Sequence, residues 1–423
     1  MLVQFRFKNF RSFNQETVLS FQAAPLDRNK YQVRQAGSVK LLPVAVLFGS
    51  AGSGKSNVLK AFAFMTDCVR GCLCDDPSRS RVLQNFRFAP AGDSDNSPSE
   101  FEVWFVPSDD EKQRLFHYGF SLCGKSIQRE WLKIKARTAR TEQTIFERTA
   151  DSLQMSSKIT GDARQVLEEA LKPDILLVSL GGIGNVPVLC TVTQWFKTVL
   201  FYYGSDLRQE MDYLAETARI MAEDESLSAE FSRYLNAFET SAKGVEIDQE
   251  TGKQGIQNPL SLLHLVEQYG DQSFSYPLSE ASSGLRKLAA LYLPLRKVLN
   301  TGGLLVADDL NTSLHPLLVR RLLQIFADPE SNPKNAQLLA SLQDVWQLDH
   351  PLLRRDEIWF VNKKGTSSTL CSLYDFTDAE GKKIRDDESF LKNYMNGKYG
   401  AVPAFEDPCL PSLNNKSGND RRE

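Results

Sequence analysis

The chain has 423 residues, 42% of them hydrophobic and 24% charged, with a net charge of -3. That is the composition of an ordinary soluble globular protein of two or three domains, or of one large domain with an insertion. The charge balance gives no global electrostatic reason to bind nucleic acid, although a local basic face is compatible with it. No apolar stretch reaches bilayer-crossing length, and the opening Met1-Leu2-Val3-Gln4-Phe5-Arg6-Phe7 lacks the basic-then-apolar layout of a signal peptide. A cytoplasmic chain without a membrane partner is expected. Seven scattered cysteines suit a reducing compartment. Cys68, Cys72 and Cys74 lie close together without a fourth ligand, so they are expected to be buried thiols and not a metal site.

In chain order, residues 1–22 alternate apolar and polar side chains at Val3, Phe5 and Phe7 and again at Val18, Leu19 and Phe21, which predicts two strands joined by a short connection. An apolar strand over 41–48 runs into Gly49-Ser50-Ala51-Gly52-Ser53-Gly54-Lys55-Ser56, followed by Asn57 and an apolar-periodic helix. This is G-x-x-x-x-G-K-S between a strand and a helix. Its glycines let backbone N–H groups point into one concavity, the helix N-terminus adds positive potential, Lys55 reaches β and γ phosphates, and the Ser56 hydroxyl holds Mg²⁺. ATP and Mg²⁺ are therefore the expected cofactors.

Residues 75–99, rich in Ser, Asp, Pro and Asn, predict a loop, and period-two runs over 101–148 predict an antiparallel sheet. From about 162 to 242 the pattern becomes helical, with segments at 163–171, 191–201 and a charged amphipathic stretch at 206–239. It reads as an insertion, either a solvated helical subdomain or an arm for a partner. Leu278-Ser279-Glu280-Ala281-Ser282-Ser283-Gly284 then opens another apolar-periodic helix, a start suited to binding anions. Leu304-Leu305-Val306-Ala307 is a buried strand ending in Asp308 and Asp309, placed to hold the metal and to act as general base, respectively. Residues 407–423 predict a disordered tail. His117, His264 and His350 have no metal-like companions. His315 precedes Pro316 and suits either a helix start or a sensor of a subunit interface.

With these pieces in place the chain resembles the ABC-type ATPase heads of the SMC, RecF and OLD-nuclease group, in particular the AAA_15-type ATP-binding proteins of bacterial phage-defence operons. The residues that carry the likeness are Phe5-Arg6-Phe7-Lys8-Asn9-Phe10-Arg11-Ser12-Phe13 at the first strand and turn, Ser282-Ser283-Gly284 as the signature, and Leu310-Asn311-Thr312-Ser313-Leu314-His315-Pro316 after the acidic strand. Further likeness lies in the strand leading to Gln343, the switch position, and in residues 385–403 at the C-terminal end. The resemblance implies an α/β fold, an ABC-type P-loop ATPase head with an antiparallel β lobe and a helical insertion. The expected parts are an N-terminal lobe over 1–150, the insertion over 160–242 and a C-terminal lobe over 243–406.

It also implies a homodimer in which the signature of one chain caps the triphosphate of the other. The function it implies is a nucleotide-gated switch in anti-phage defence, acting on a nuclease or toxin effector from the same operon. Two alternatives follow from other branches of the group: a DNA-repair or chromosome-type ATPase that binds DNA directly, and a self-contained OLD-type nuclease, for which no acidic cluster is visible after the head. The chain departs from the family on the chemistry, having Asp309 for Glu, Gln343 for His and Ala51 for Asn. A carboxylate one methylene shorter and a switch residue that cannot be protonated point to slow hydrolysis.

Overall fold

The computed structural model describes residues 1–71, 83–86, 97–224, 226–238, 242–247, 258–349, 351–377 and 381–403. Strands β1 (Leu2–Lys8) and β2 (Thr17–Ser20) pair antiparallel, as the alternation predicts. A small hairpin of β3 (Arg34–Ala36) and β4 (Val39–Leu41) follows, then β5 (Val44–Phe48) and helix α1 (Lys55–Arg70). Strands β6 (Ser99–Phe105), β7 (Leu115–Cys123), β8 (Ser126–Lys135), β9 (Gln143–Thr149) and β10 (Leu153–Met155) complete a seven-stranded sheet in the order β10-β9-β8-β7-β6-β1-β2. Its neighbours pair antiparallel throughout.

Next come α2 (Gly161–Ala170), α3 (Leu177–Ile183), α4 (Pro187–Lys197), β11 (Val199–Tyr203), α5 (Leu207–Glu223) and α6 (Ser226–Asn236). A three-stranded sheet is built from β12 (Ala242–Ile247), β13 (Leu263–Tyr269) and β14 (Gln272–Pro277), with the short helix α7 (Pro259–Leu262) inside it. The rest of the described chain forms α8 (Ser283–Thr301), β15 (Leu304–Asp308), α9 (Pro316–Ala327), β16 (Gln337–Ser341), β17 (Ile358–Lys364), β18 (Ser367–Ser372) and α10 (Phe390–Met395).

The second large sheet runs β11-β15-β16-β5-β17-β18, parallel except for the edge strand β18. Parallel strands covered on both faces read as continuous apolar runs, and β5 and β15 are buried along their whole length. Successive side chains serve two different cores. Leu305 and Ala307 join Val44, Val46 and Phe48 in the core closed by α5, α6, α8 and α9. Leu304 and Val306 join Ala45, Leu47 and the α1 residues Val58, Leu59 and Phe62 in the core shared with the antiparallel sheet. Helix α1 is thus held between the two sheets, with Phe62 edge-on to Phe5 at 4.9 Å. Truncating Phe62 would cost about 3–5 kcal/mol, because a cavity would open where both layers meet.

The segment expected as a helical insertion needs correction on two points. Val199–Tyr203, whose first three residues the 191–201 reading places in a helix, is an edge strand that pairs with β15 in parallel register, Tyr203 opposite Asp308. A short apolar run of this kind does not declare its period, and the aromatic and β-branched content of Val-Leu-Phe-Tyr-Tyr favours the extended form. Helices α5 and α6 are not a solvated subdomain either. Leu214, Ala218, Met221, Leu227, Phe231 and Leu235 form part of the central core, and only their charged faces look outward. Of the loop expected over 75–99, only 83–86 and 97–99 lie among the described residues; the tail 407–423, Cys72, Cys74 and His350 lie outside them. Among the described residues no single helix is long and apolar enough to cross a membrane.

Candidate nucleotide site

Because β5, β15 and β16 are parallel, their C-terminal ends open on one edge of the sheet, the place where α/β folds bind ligands. The G-x-x-x-x-G-K-S loop leaves β5 there. Gly54 caps α1 at φ 114°, a conformation that L side chains rarely adopt, and a Cβ on it would lie 2.6 Å from the Ser368 hydroxyl. Ala51 and Gly52 are exposed at the crest of the loop, and Asn57 begins its second layer, donating to the Ser12 hydroxyl at 2.8 Å. Lys55 is buried, and its ammonium donates to the carbonyls of Gly49 at 2.7 Å and Ser50 at 3.2 Å. Burial pushes its pKa below the ordinary value, against the pull of the Asp309 and Asp308 carboxylates.

The acidic strand meets the loop directly. Ser56 Oγ donates to Asp308 Oδ1 at 3.1 Å, and Ser341 Oγ, at the end of β16, donates to the same oxygen at 2.6 Å. Ser341 also accepts the Asp309 N–H at 2.8 Å, so one hydroxyl fixes both acidic residues. Asp309 itself sits at φ 50°, in the left-handed region where Asp and Asn are enriched, and is half-buried. Gln343 is exposed; its amide donates to Asp309 Oδ1 at 3.1 Å, while its backbone N–H is held by Asn311 at 3.0 Å.

The residues present fit Mg²⁺ and a triphosphate. Ser56 and Asp308 bring a hydroxyl and a carboxylate, hard oxygen donors, together at the helix start. The Ser53 hydroxyl is buried within the loop and has no partner. Among the described residues no group of three or more His, Cys, Asp or Glu side chains could hold a metal.

Ser282 caps α8, its hydroxyl accepting the Leu285 N–H at 3.3 Å, with Ser282 and Ser283 exposed. Gly284 packs on the loop after the acidic strand, where a Cβ would lie 2.9 Å from the Ser313 carbonyl oxygen. His315 is the N-cap of α9, its Nδ1 accepting the Leu317 N–H at 3.2 Å, so the helix-starting role is the one the geometry supports. His117 lies between Glu102 at 3.0 Å and Glu142 at 3.1 Å and stacks on Trp104, far removed in kind from a metal site.

Sequence reasoning assigned no part to three residues that the structure places in the site. Ser341 is described above. Ser12 and Ser368 form a hydroxyl pair at 2.9 Å behind the loop, and Ser368 also donates to the Ser53 carbonyl at 2.6 Å. Ser12 and Ser341 carry a faint signal, lying within stretches already singled out. Ser368 is on β18, more than 300 residues from the loop, and nothing local marks it.

Residues 44–341 match the family described as "AAA domain, putative AbiEii toxin, Type IV TA system". Among solved structures, an Smc head bound to the C-winged helix domain of ScpA is 13% identical, covering 90% of this chain and 99% of that one at a TM-score of 0.44. An Smc head with an extended coiled coil bound to the C-terminal domain of ScpA, from Pyrococcus furiosus, is 15% identical over 88% of this chain and 96% of that one, TM-score 0.42. An Smc head with a coiled coil and joint, from Pyrococcus yayanosii, is 11% identical over 88% and 96%, TM-score 0.39. No curated protein matches the chain. With a phosphate loop joined to an acidic strand end and the matched family spanning more than half of its length, the chain belongs to this AbiEii-type AAA family and is a P-loop ATPase.

Proposed function

We propose that the chain is an ATP-gated switch that closes as a symmetric homodimer and thereby holds or releases an effector protein, a toxin or nuclease of the same operon, in defence against phage. The observation that carries the reading is the Ser56–Asp308–Ser341 cluster. It joins loop, acidic strand and switch strand at one point, so a bound Mg²⁺-ATP would report to all three. Lys55 would withdraw from its own loop carbonyls toward the β and γ phosphates, and Ser56 and Asp308 would hold Mg²⁺, which when bound neutralises charge on the phosphates.

The exposed Ser282 and Ser283, at the N-terminus of a long helix, suit capping a γ phosphate presented by a second copy. The family's description, "putative AbiEii toxin, Type IV TA system", supports pairing with a second protein. Asp309 is placed to polarise the attacking water, and Gln343 holds that carboxylate in place of a titratable histidine, which supports hydrolysis slow enough for gated assembly.

Sedimentation of wild type and Ser283→Asp, a change at an exposed position of the same turn, with and without a slowly hydrolysed ATP analogue, tests the dimer. The wild type should associate when the analogue is added. The variant, with a carboxylate facing the phosphate, should bind the analogue yet stay monomeric. Equal association of the two would reduce the Ser-Ser-Gly turn to a helix cap. Co-purification from the native operon, with mass identification of the bound chain, tests the effector; recovery of nucleic acid alone would favour direct DNA binding.

A further inference from the structure

Lys287 is a lysine with a side chain only 3% exposed, yet it belongs neither to the phosphate loop nor to the acidic strand. It stands one turn after Ser283 on α8, on the same helix face. Its ammonium donates to the Gly204 carbonyl at 2.5 Å, lies 3.7 Å from Glu210 Oε1, and sits over the Tyr202 ring at 5.9 Å. Glu210 is fixed in turn by the Tyr202 hydroxyl at 3.0 Å. Gly204 follows β11 and touches the acidic strand end directly: its N–H donates to the Asp308 carbonyl at 2.8 Å, and a Cβ on it would lie 2.3 Å from the Asp309 carbonyl oxygen.

An unbroken bridge therefore runs from the first turn of the signature helix through the Lys287 ammonium and the Gly204 peptide to the backbone that carries both acidic side chains. A buried ammonium is costly unless it is paired, and a plain apolar residue would serve packing better. We infer that Lys287 is a positioning residue that ties the signature turn to the placement of Asp308 and Asp309, so that a phosphate held at the signature of one chain tunes hydrolysis in that chain's own site. The inference rests on the ATPase and dimer readings above and deepens them by naming the link between the two sites of the pair.

Two features make the link mechanical. Gly284 and Gly204 press from opposite ends on the same short stretch, one on the Ser313 carbonyl and the other on the Asp308 and Asp309 carbonyls. A shift of α8 on phosphate capture must therefore move the carboxylates or strain these contacts. Lys287 is buried against Gly204 and Glu210, outside the phosphate loop, which separates its expected signature from that of Lys55.

The test uses the full chain as wild type, Lys287→Met and Lys287→Arg, measured by analogue binding, steady-state phosphate release and melting. Lys287→Met should keep analogue affinity within about twofold while kcat falls roughly ten- to hundred-fold, the cost of misplaced catalytic groups. Lys287→Arg, which keeps the cation, should recover most of the rate. Dependence of rate on ATP concentration should lose its sigmoid character in Lys287→Met if the wild type shows one.

A Lys287→Met protein that turns over like wild type overturns the inference. So does one in which the rate loss follows melting temperature and Arg restores neither, which is the mark of packing alone. If Lys287→Met does not fold, Glu210→Gln, which removes the counter-charge and keeps the shape, takes its place with the same kcat-against-affinity readout. A wild type that binds no analogue and releases no phosphate overturns the ATPase reading itself, and this inference with it, an outcome distinct from a wild type that turns over and a Lys287 variant that matches it.

Discussion

The two halves of the site are built differently. On the side that would hold metal and phosphate, Lys55 and Asp308 are buried, and the Ser56 and Ser341 hydroxyls converge on one Asp308 oxygen. On the side that would carry out hydrolysis, Asp309 is half-buried in a left-handed turn, and among the described residues its carboxylate accepts a hydrogen bond from the exposed Gln343 amide. The first half is anchored by three parallel strands and a long helix, the second by a loop, an amide on its carboxylate and the Ser341 hydroxyl on its backbone. In the proposed reading, binding is pre-organised by the fold itself, whereas the rate of hydrolysis is left to residues that can vary without disturbing it.

The most damaging break in this contrast is Lys55→Ala. It should abolish ATP binding, lowering affinity by about 100-fold or more through loss of a charge-assisted contact to phosphate in a sheltered loop. The lysine's bonds to Gly49 and Ser50 are local to the loop, so melting should change by only a few degrees. Titration with a fluorescent ATP analogue reads the effect. Unchanged affinity would remove Lys55 from the site.

A smaller effect is expected on the other side, where Asp309→Glu with Gln343→His should raise turnover about tenfold, because the longer carboxylate regains its reach to the attacking water. The structure adds a cost to this substitution. Asp tolerates φ 50° through its short polar side chain, whereas Glu there is disfavoured by about 1–2 kcal/mol, so the faster variant should melt earlier. Phosphate release and melting, measured on the same samples, check both signs. A double variant no faster than wild type would show that the slow step lies elsewhere.

The unequal construction of the site matches what could be read in the sequence. The phosphate loop was legible because its chemistry needs glycines, a lysine and a serine at fixed spacing between a strand and a helix, and the structure supplies that setting. Asp308 and Asp309 were legible by their place at the end of an apolar run. The β11 strand was not, since five apolar residues carry no period of their own and only pairing with β15 makes them extended. Neither was Lys287, an ordinary lysine on a helix until tertiary packing buries it against Gly204. Ser368 is the extreme case: its contact with the loop is created wholly by β18 lying at the sheet edge beyond β17.

That contact gives the smallest and finest test. Ser368 Oγ donates to the Ser53 carbonyl at 2.6 Å, its backbone N–H donates to the Ser12 carbonyl at 2.7 Å, and the pair of hydroxyls braces the loop where Gly54 leaves no room for a side chain. Ser368→Ala keeps the backbone bond and the packing but leaves the buried Ser53 carbonyl without that donor, a loss of about 1 kcal/mol. If the loop is held ready for phosphate by this brace, the loss should appear as weaker analogue binding, about fivefold, with the rate at saturating ATP unchanged. Gln343→Ala should do the reverse, changing kcat and leaving affinity alone, since its amide touches Asp309 and no part of the loop. Should Ser368→Ala lower the saturated rate and spare affinity, or Gln343→Ala weaken binding as much as Ser368→Ala does, the division of the site into a binding half and a hydrolytic half would fail.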